Sequence, residues 1–274
     1  MKMMKAAIAG GAVVALLAGV AGSGGAQAQT KPMRTTVGGD VAPKSFLWVG
    51  NSFFYYNNSM HSHVREFAQA ADPADPWRGV SITISGSGID WHDLNSYFRP
   101  NAVGRYSFEA GNTVVFNKPG KQFDAVIIMD CSQCPINPQL KDTFHTYAKS
   151  QTRIITDNGA RPIFFMSWAY KDKPEMTAQL AEAYTVAGNE NDALVIPAGL
   201  AFAKAIARRP ELEFYQPDKR HPTLIGTYLA AATVYAAISG KSPVGSSYTA
   251  GLAPDTAAFL QNTAWDTVTE YYGK

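Results

Sequence analysis

Charge, cysteine and long apolar runs are all scarce in this chain. Charged residues make up 17% of its 274 positions and the formal net charge is +2, so the basic footprint that nucleic acid demands is missing. The pairs Arg208-Arg209 and Lys219-Arg220 read as solvated surface. The only two cysteines, Cys131 and Cys134, have no second pair of soft ligands to complete a zinc site, and no cysteine stands near the N-terminus, where lipid attachment would need one. After residue 22 no stretch is long and apolar enough to cross a bilayer. No internal repeat is present.

What the N-terminus does contain is an export pattern. Lys2 and Lys5 precede a run rich in alanine, glycine and valine over 6–22, and Ala26-Gln27-Ala28 follows. That order predicts a secretory signal peptide over 1–28 rather than an anchor, because glycine dilutes the run and no basic cluster follows it. Its removal leaves about 246 residues and takes away two positive charges, so the exported chain is close to neutral. The expected location is periplasmic or secreted, with no stable membrane insertion after cleavage. A polar leader over 29–44 is expected to be flexible, and one domain to span 45–274.

Short apolar runs bounded by turn residues at 46–49, 80–84, 125–129 and 162–166 predict strands buried on both faces, and 193–196 predicts a shorter fifth. Helical spacing occurs at 59–71, 139–157, 174–187 and 200–208, then at 222–238 and 254–272. Pro222 stands at an opening position and Gly240 just past an end. Alternating strand and helix predicts right-handed crossovers and a doubly wound, mainly parallel five-stranded sheet in three α/β/α layers, flavodoxin-like in plan. Residues 90–122 break the alternation. They hold Trp91, Tyr97, Phe98, Tyr106 and Phe108, and read either as an insertion bordering a cleft or as a packed surface loop with a hairpin near 112–117.

Ligands of such sheets bind beyond the carboxyl ends of the strands. Ser52, in Gly50-Asn51-Ser52-Phe53, follows the first strand in that way, and the expected helix after it would put backbone N–H groups beside the hydroxyl. A serine hydroxyl needs a base, best an imidazole whose tautomer a carboxylate fixes. Asp218 and His221, three apart ahead of a helix, offer both, although either residue type is common in purely structural roles there. His61 and His63 are two apart on a predicted helix and diverge, so they do not chelate one ion. His92 is expected near the cleft and His145 at the surface.

Trp48-Val49-Gly50-Asn51-Ser52-Phe53 at the first strand, with Asp218-x-x-His221-Pro222 and Gly226-x-Tyr228-Leu229 about 170 residues later, resembles the SGNH (GDSL-like) hydrolase superfamily, in its exported bacterial branch with G-N-S-F for G-D-S-L. The resemblance covers 45 to about 243 and implies Ser52 as nucleophile, His221 as base and Asp218 as its orienting partner, with no metal and no cofactor. It also implies three oxyanion donors: the N–H of Ser52, a glycine after the second strand, for which Gly88 is favoured over Gly86, and an asparagine after the third. There the sequence departs from the family, because Cys131-Ser132-Gln133-Cys134 puts Gln133 where the asparagine would stand. Gln133 can donate through its amide only if its longer side chain folds back.

The implied reaction is hydrolysis of a carboxylic ester through an acyl-enzyme. Asn51, Tyr55, Trp91 and Trp168 are expected to contact substrate, with Tyr56 also near the cleft. Substrates are small-molecule or polysaccharide esters, with a carbohydrate acetyl ester ahead of a general short-chain esterase or lipase substrate. Cys131 and Cys134 are expected to form a structural disulfide. Two further readings stay open, a C-x-x-C thiol-disulfide oxidoreductase and a sugar-binding protein with a decayed site.

Overall fold

Short strands that are apolar on every residue need cover on both faces, and helices supply it. The computed structural model describes residues 30–99, 102–103, 106–116 and 121–274; the expected signal peptide lies outside them. In chain order the elements begin β1 (Ser45–Gly50), α1 (Ser52–Tyr55), α2 (Met60–Ala71), β2 (Arg78–Thr83), α3 (Leu94–Tyr97), β3 (Tyr106–Glu109), β4 (Thr113–Phe116) and β5 (Ala125–Ile128). They continue α4 (Lys141–Asp157), β6 (Arg161–Phe165), α5 (Met176–Glu190), β7 (Leu194–Ile196), α6 (Ala198–Arg208), α7 (Leu224–Ser239) and α8 (Pro254–Tyr272). Five strands form one parallel sheet in the order β2-β1-β5-β6-β7.

Successive side chains point to opposite faces, so each strand serves two cores. Phe46, Trp48, Ile127, Phe165 and Ile196 join α2, α6, α7 and α8 on one side. Leu47, Val49, Val126, Ile128 and Phe164 join α4 and α5 on the other. The three-layer expectation is met, with one local difference. The sequence predicts that β2 is buried on both faces, but its residues are intermediate or exposed because it is an edge strand with one neighbour.

α7 is buried along nearly its whole length, between the sheet and α8. It opens one residue pair later than expected. Thr223 is its cap, its hydroxyl accepting from the Gly226 N–H at 3.4 Å, while Pro222 pairs with Tyr215 ahead of it. Gly226 permits the close approach that follows: a Cβ there would lie 2.7 Å from the Phe214 carbonyl oxygen and 2.9 Å from the Phe202 ring.

The leader over 30–44 has no helix or strand, but it is fastened rather than loose. Thr30 bonds to Glu182 through its N–H at 2.9 Å and its hydroxyl at 2.6 Å, Arg34 pairs with Asp192, and Val37 is buried in the core. In the 90–122 region β3 and β4 form an antiparallel ribbon apart from the main sheet, pairing Tyr106 with Phe116, so the hairpin is longer than the 112–117 expected.

Candidate active site

The carboxyl end of β1 delivers Asn51 and Ser52. Asn51 caps the single turn α1, its Oδ1 accepting from the Phe53 N–H at 3.2 Å. One turn supplies N–H groups but little macrodipole, so the expected help from a helix end reduces to those groups. The chain then reverses through Asn57, Asn58 and Ser59, all with positive φ, before α2. Asn57 ties this reversal across the site, donating to the Pro222 carbonyl at 2.9 Å and to the Thr227 hydroxyl at 2.8 Å.

The other half of the site is the loop before α7. The Gln216 N–H donates to the His221 carbonyl at 2.8 Å and the Thr223 N–H to the Phe214 carbonyl at 3.0 Å, closing the loop at its base. Lys219 takes a left-handed conformation, φ 64°, which turns the chain tightly enough for His221 to face Asp218. From beyond β6, the Trp168 indole N–H donates to the Arg220 carbonyl at 3.0 Å and the Lys171 N–H to the Lys219 carbonyl at 2.9 Å.

These two halves bring the three predicted groups together. His221 Nε2 lies 2.8 Å from Ser52 Oγ, and His221 Nδ1 bonds to Asp218 Oδ2. Asp218 Oδ1 also accepts from the N–H groups of Arg220 at 2.9 Å and His221 at 3.0 Å. Desolvation works to raise the Asp218 pKa, but the bonds from the His221 ring and the two backbone N–H groups prevail and hold it below the usual carboxylate range. With Asp218 ionised, the proton on His221 sits at Nδ1 and Nε2 is free to accept from the Ser52 hydroxyl.

Aromatic rings frame the imidazole. Tyr56 stacks on it at 4.3 Å with the planes 11° apart, and Phe53 meets it edge-on at 5.7 Å. A cavity of about 850 Å³ between α6 and α8 holds none of the three groups, so convergence of chemistry, not size of void, locates this site.

The sequence of this chain matches no protein-family model, and no curated protein matches it. Solved structures do match in shape. A DUF4886 family protein from Bacteroides uniformis superposes with a TM-score of 0.57 at 17% identity, covering 83% of this chain and 95% of that one. A protein from Slackia heliotrinireducens assigned to the SGNH hydrolases gives 0.51 at 18%, covering 70% and 96%. A variant of an acetylxylan esterase from Geobacillus stearothermophilus gives 0.51 at 15%, covering 71% and 94%. The fold is that of the SGNH hydrolases.

On this SGNH fold the expected oxyanion donors are disposed unequally. The N–H groups of Ser52 and Gly88 make no hydrogen bond among the described residues, which leaves both available. Gly88 is extended, φ −85° and ψ 170°, and a Cβ there would come within 2.5 Å of Asp90 Oδ1, so close quarters and not unusual torsions call for glycine. Gly86, the alternative, has φ 70° and open space around it, the marks of a turn glycine. Gln133 is exposed and its amide has no hydrogen bond among the described residues.

Two of the four expected substrate contacts are corrected. Asn51 is 4% exposed, and its amide nitrogen donates to the carbonyls of Ser87 at 3.0 Å and Asp130 at 3.2 Å, so its polar capacity is spent inside the protein. Trp168 is fully buried, stacked between Phe53 at 4.5 Å and Phe202 at 4.2 Å, and steadies the His221 loop from behind. Tyr55 and Trp91 are exposed, Trp91 by 60%, and Tyr55 Oη lies 2.5 Å from Ser85 Oγ.

Cys131 and Cys134 are joined as a disulfide, as expected. Together with Asp130 they bring three ligand-type atoms within 4.8 Å of one another, but sulfurs bonded to each other offer no thiolate. His92, expected at the cleft, is buried beneath it, its Nε2 within 3.1 Å of the Gly50 carbonyl and 3.0 Å of Ser87 Oγ; burial lowers its pKa. His63 spends its ring nitrogens on Tyr248 and on the Asn57 carbonyl, each at 2.6 Å, and His145 faces Glu190 on the surface. Tyr56, expected near the cleft, lies there on the His221 ring; Asn57 and Asp130 are the residues of this neighbourhood that sequence reasoning missed.

Proposed function

We propose that this protein is an exported serine esterase that hydrolyses carboxylic esters through an acyl-enzyme. The observation that carries the reading is the continuous relay from Ser52 Oγ through both nitrogens of His221 to Asp218. His221 Nε2 takes the hydroxyl proton as Ser52 attacks the ester carbonyl, and Asp218 stabilises the imidazolium that results. The oxyanion is met by the N–H groups of Ser52 and Gly88, with Gln133 as an additional amide donor when substrate orders its side chain. The imidazolium then protonates the leaving alcohol, and water repeats the sequence to release the acid. Asp218 stays ionised throughout, and no redox step is involved.

For the substrate we favour acetyl esters of carbohydrates. Exposed Trp91 and Tyr55 give flat apolar faces for a sugar ring, and one solved structure of like fold is an acetylxylan esterase. A general short-chain esterase is the competing reading. A serine-directed fluorophosphonate followed by mass spectrometry tests the reaction: the adduct should sit on Ser52 and vanish in His221→Ala. A folded protein that takes no label sinks the esterase reading and leaves the sugar-binding and thiol-disulfide readings. Acetylated xylo-oligosaccharides against p-nitrophenyl esters of two to eight carbons (about that range suffices) then separate the substrates. Cys131→Ser with Cys134→Ser should keep ester hydrolysis largely intact; its abolition would instead favour the thiol-disulfide reading.

A further inference from the structure

Asp130 takes part in no step above, yet three loops of the site meet on it. It follows β5 and is 2% exposed. Its Oδ1 accepts from the N–H groups of Ile89 at 2.8 Å and Cys131 at 2.7 Å, and its own N–H donates to Tyr184 Oη on α5 at 3.2 Å. Its carbonyl accepts from the Asn51 amide at 3.2 Å, and the same amide nitrogen holds the Ser87 carbonyl at 3.0 Å.

These bonds grip both peptide planes of Gly88. The Gly88 N–H belongs to the plane whose carbonyl is that of Ser87, and in a trans peptide the two point opposite ways. By fixing the Ser87 carbonyl, Asn51 aims the Gly88 N–H. The next plane ends in the Ile89 N–H, which Asp130 holds. A Cβ on Gly88 would lie 3.2 Å from Asp130 Oδ1, so the carboxylate stands directly behind the glycine. Glycine has the widest torsional freedom of any residue, and an oxyanion donor works only if it is already aimed.

We infer that Asp130 is a positioning residue for the oxyanion hole: through the Ile89 and Cys131 N–H groups, and in concert with Asn51, it sets the backbone that presents the Gly88 N–H. The inference rests on the esterase reading and goes beyond it. One acceptor oxygen suffices for both bonds, since Oδ2 is buried without a hydrogen-bond partner among the described residues. An amide in place of the carboxylate therefore keeps the grip, whereas a methyl group loses it.

The test compares wild type, Asp130→Asn, Asp130→Ala and Ser52→Ala on p-nitrophenyl acetate, with a trifluoromethyl ketone as oxyanion-forming inhibitor and circular dichroism as the check of fold. Asp130→Ala should lower kcat by about 10- to 100-fold with KM within about threefold, below the about 10²–10³ lost with a whole donor. Its inhibition constant should rise in step with the fall in kcat, and Asp130→Asn should recover most of both. A folded Asp130→Ala with kcat near wild type overturns the inference, as does Asp130→Asn impaired as severely as Asp130→Ala. So does equal weakening of KM and inhibitor binding, the mark of general distortion. If Asp130→Ala fails to fold, Asp130→Ser, which cannot accept both N–H groups in the same geometry, takes its place under the same criteria. Wild type no faster than Ser52→Ala fails the esterase reading and the inference together, which separates that outcome from failure of Asp130 alone.

Discussion

Two aspartates serve this site from opposite sides, and their environments drive them apart. The Asp218 side chain is 43% exposed, faces an imidazole and two N–H groups, and its pKa is lowered. Asp130 is almost wholly buried, and desolvation pushes it up to about 6 against the opposing pull of the Ile89 and Cys131 N–H groups, with Asp90 adding repulsion. The exposed carboxylate is kept charged by partners it holds on its own loop. The buried one is held by partners 41 and 54 positions away, and charge is costly there. One is suited to electrostatic work on the histidine, the other to geometry.

The sharpest way to break the comparison is to neutralise Asp218. Asp218→Asn removes the charge that balances the imidazolium and permits the wrong tautomer, so kcat/KM for p-nitrophenyl acetate should fall on the order of 10³–10⁴-fold. Asp130→Asn, the same chemical change, should cost at most a few-fold. Steady-state kinetics of the two purified variants settles it; equal losses would erase the distinction between charge and geometry.

That distinction also marks what was legible in the sequence. Asp218 and His221 are three apart and bond to each other, and Ser52 directly follows the turn after β1, so their chemistry is written in local pattern plus strand order. The sheet was legible for the same reason, β1, β5, β6 and β7 being short and apolar along nearly their whole length. Asn51 and Trp168 were placed correctly at strand ends but aimed wrongly, because alternation along a strand does not extend into the turn beyond it. Trp168 turns back between Phe53 and Phe202, partners that only the packing of α1 and α6 supplies. Asp130 gave no signal, since a carboxylate after a strand is ordinarily solvated and its burial depends on Tyr184 and Ile89 from distant parts of the chain. Val37 likewise hid in a leader whose composition reads as loose.

A middle-sized effect lies in stability against pH, where the two aspartates should have opposite signs. Asp130 has a folded pKa above its unfolded value of 3.8, so folding favours its protonated form. Its ionisation therefore removes stability as pH rises from about 4 to about 7. A rise from 3.8 to about 6 corresponds to a difference on the order of 3 kcal/mol. Asp218 has a lowered folded pKa, so its contribution is present above the unfolded value and is lost as pH falls below about 4. Urea unfolding of wild type, Asp130→Asn and Asp218→Asn between about pH 3.5 and 8 reads both. Wild-type stability relative to Asp130→Asn should decline with rising pH through about 6; a flat difference or a rise would mean that Asp130 is not desolvated in the folded chain.

The smallest effect concerns Tyr56, which bears on the Asp218 side alone. Its ring lies flat on His221, and during turnover that imidazole becomes a cation beside an electron-rich face. A cation–π contact at a partly exposed position contributes about 0.5–1 kcal/mol, or about two- to fivefold in rate. Tyr56→Leu keeps apolar bulk but loses the face, so it should lower kcat/KM by that factor, while Tyr56→Phe keeps the face and should stay near wild type. If Phe and Leu were equally impaired, the hydroxyl would be the part that matters. If neither were, Asp218 alone would balance the charge on His221, and the asymmetry between the exposed and the buried carboxylate would be sharper still.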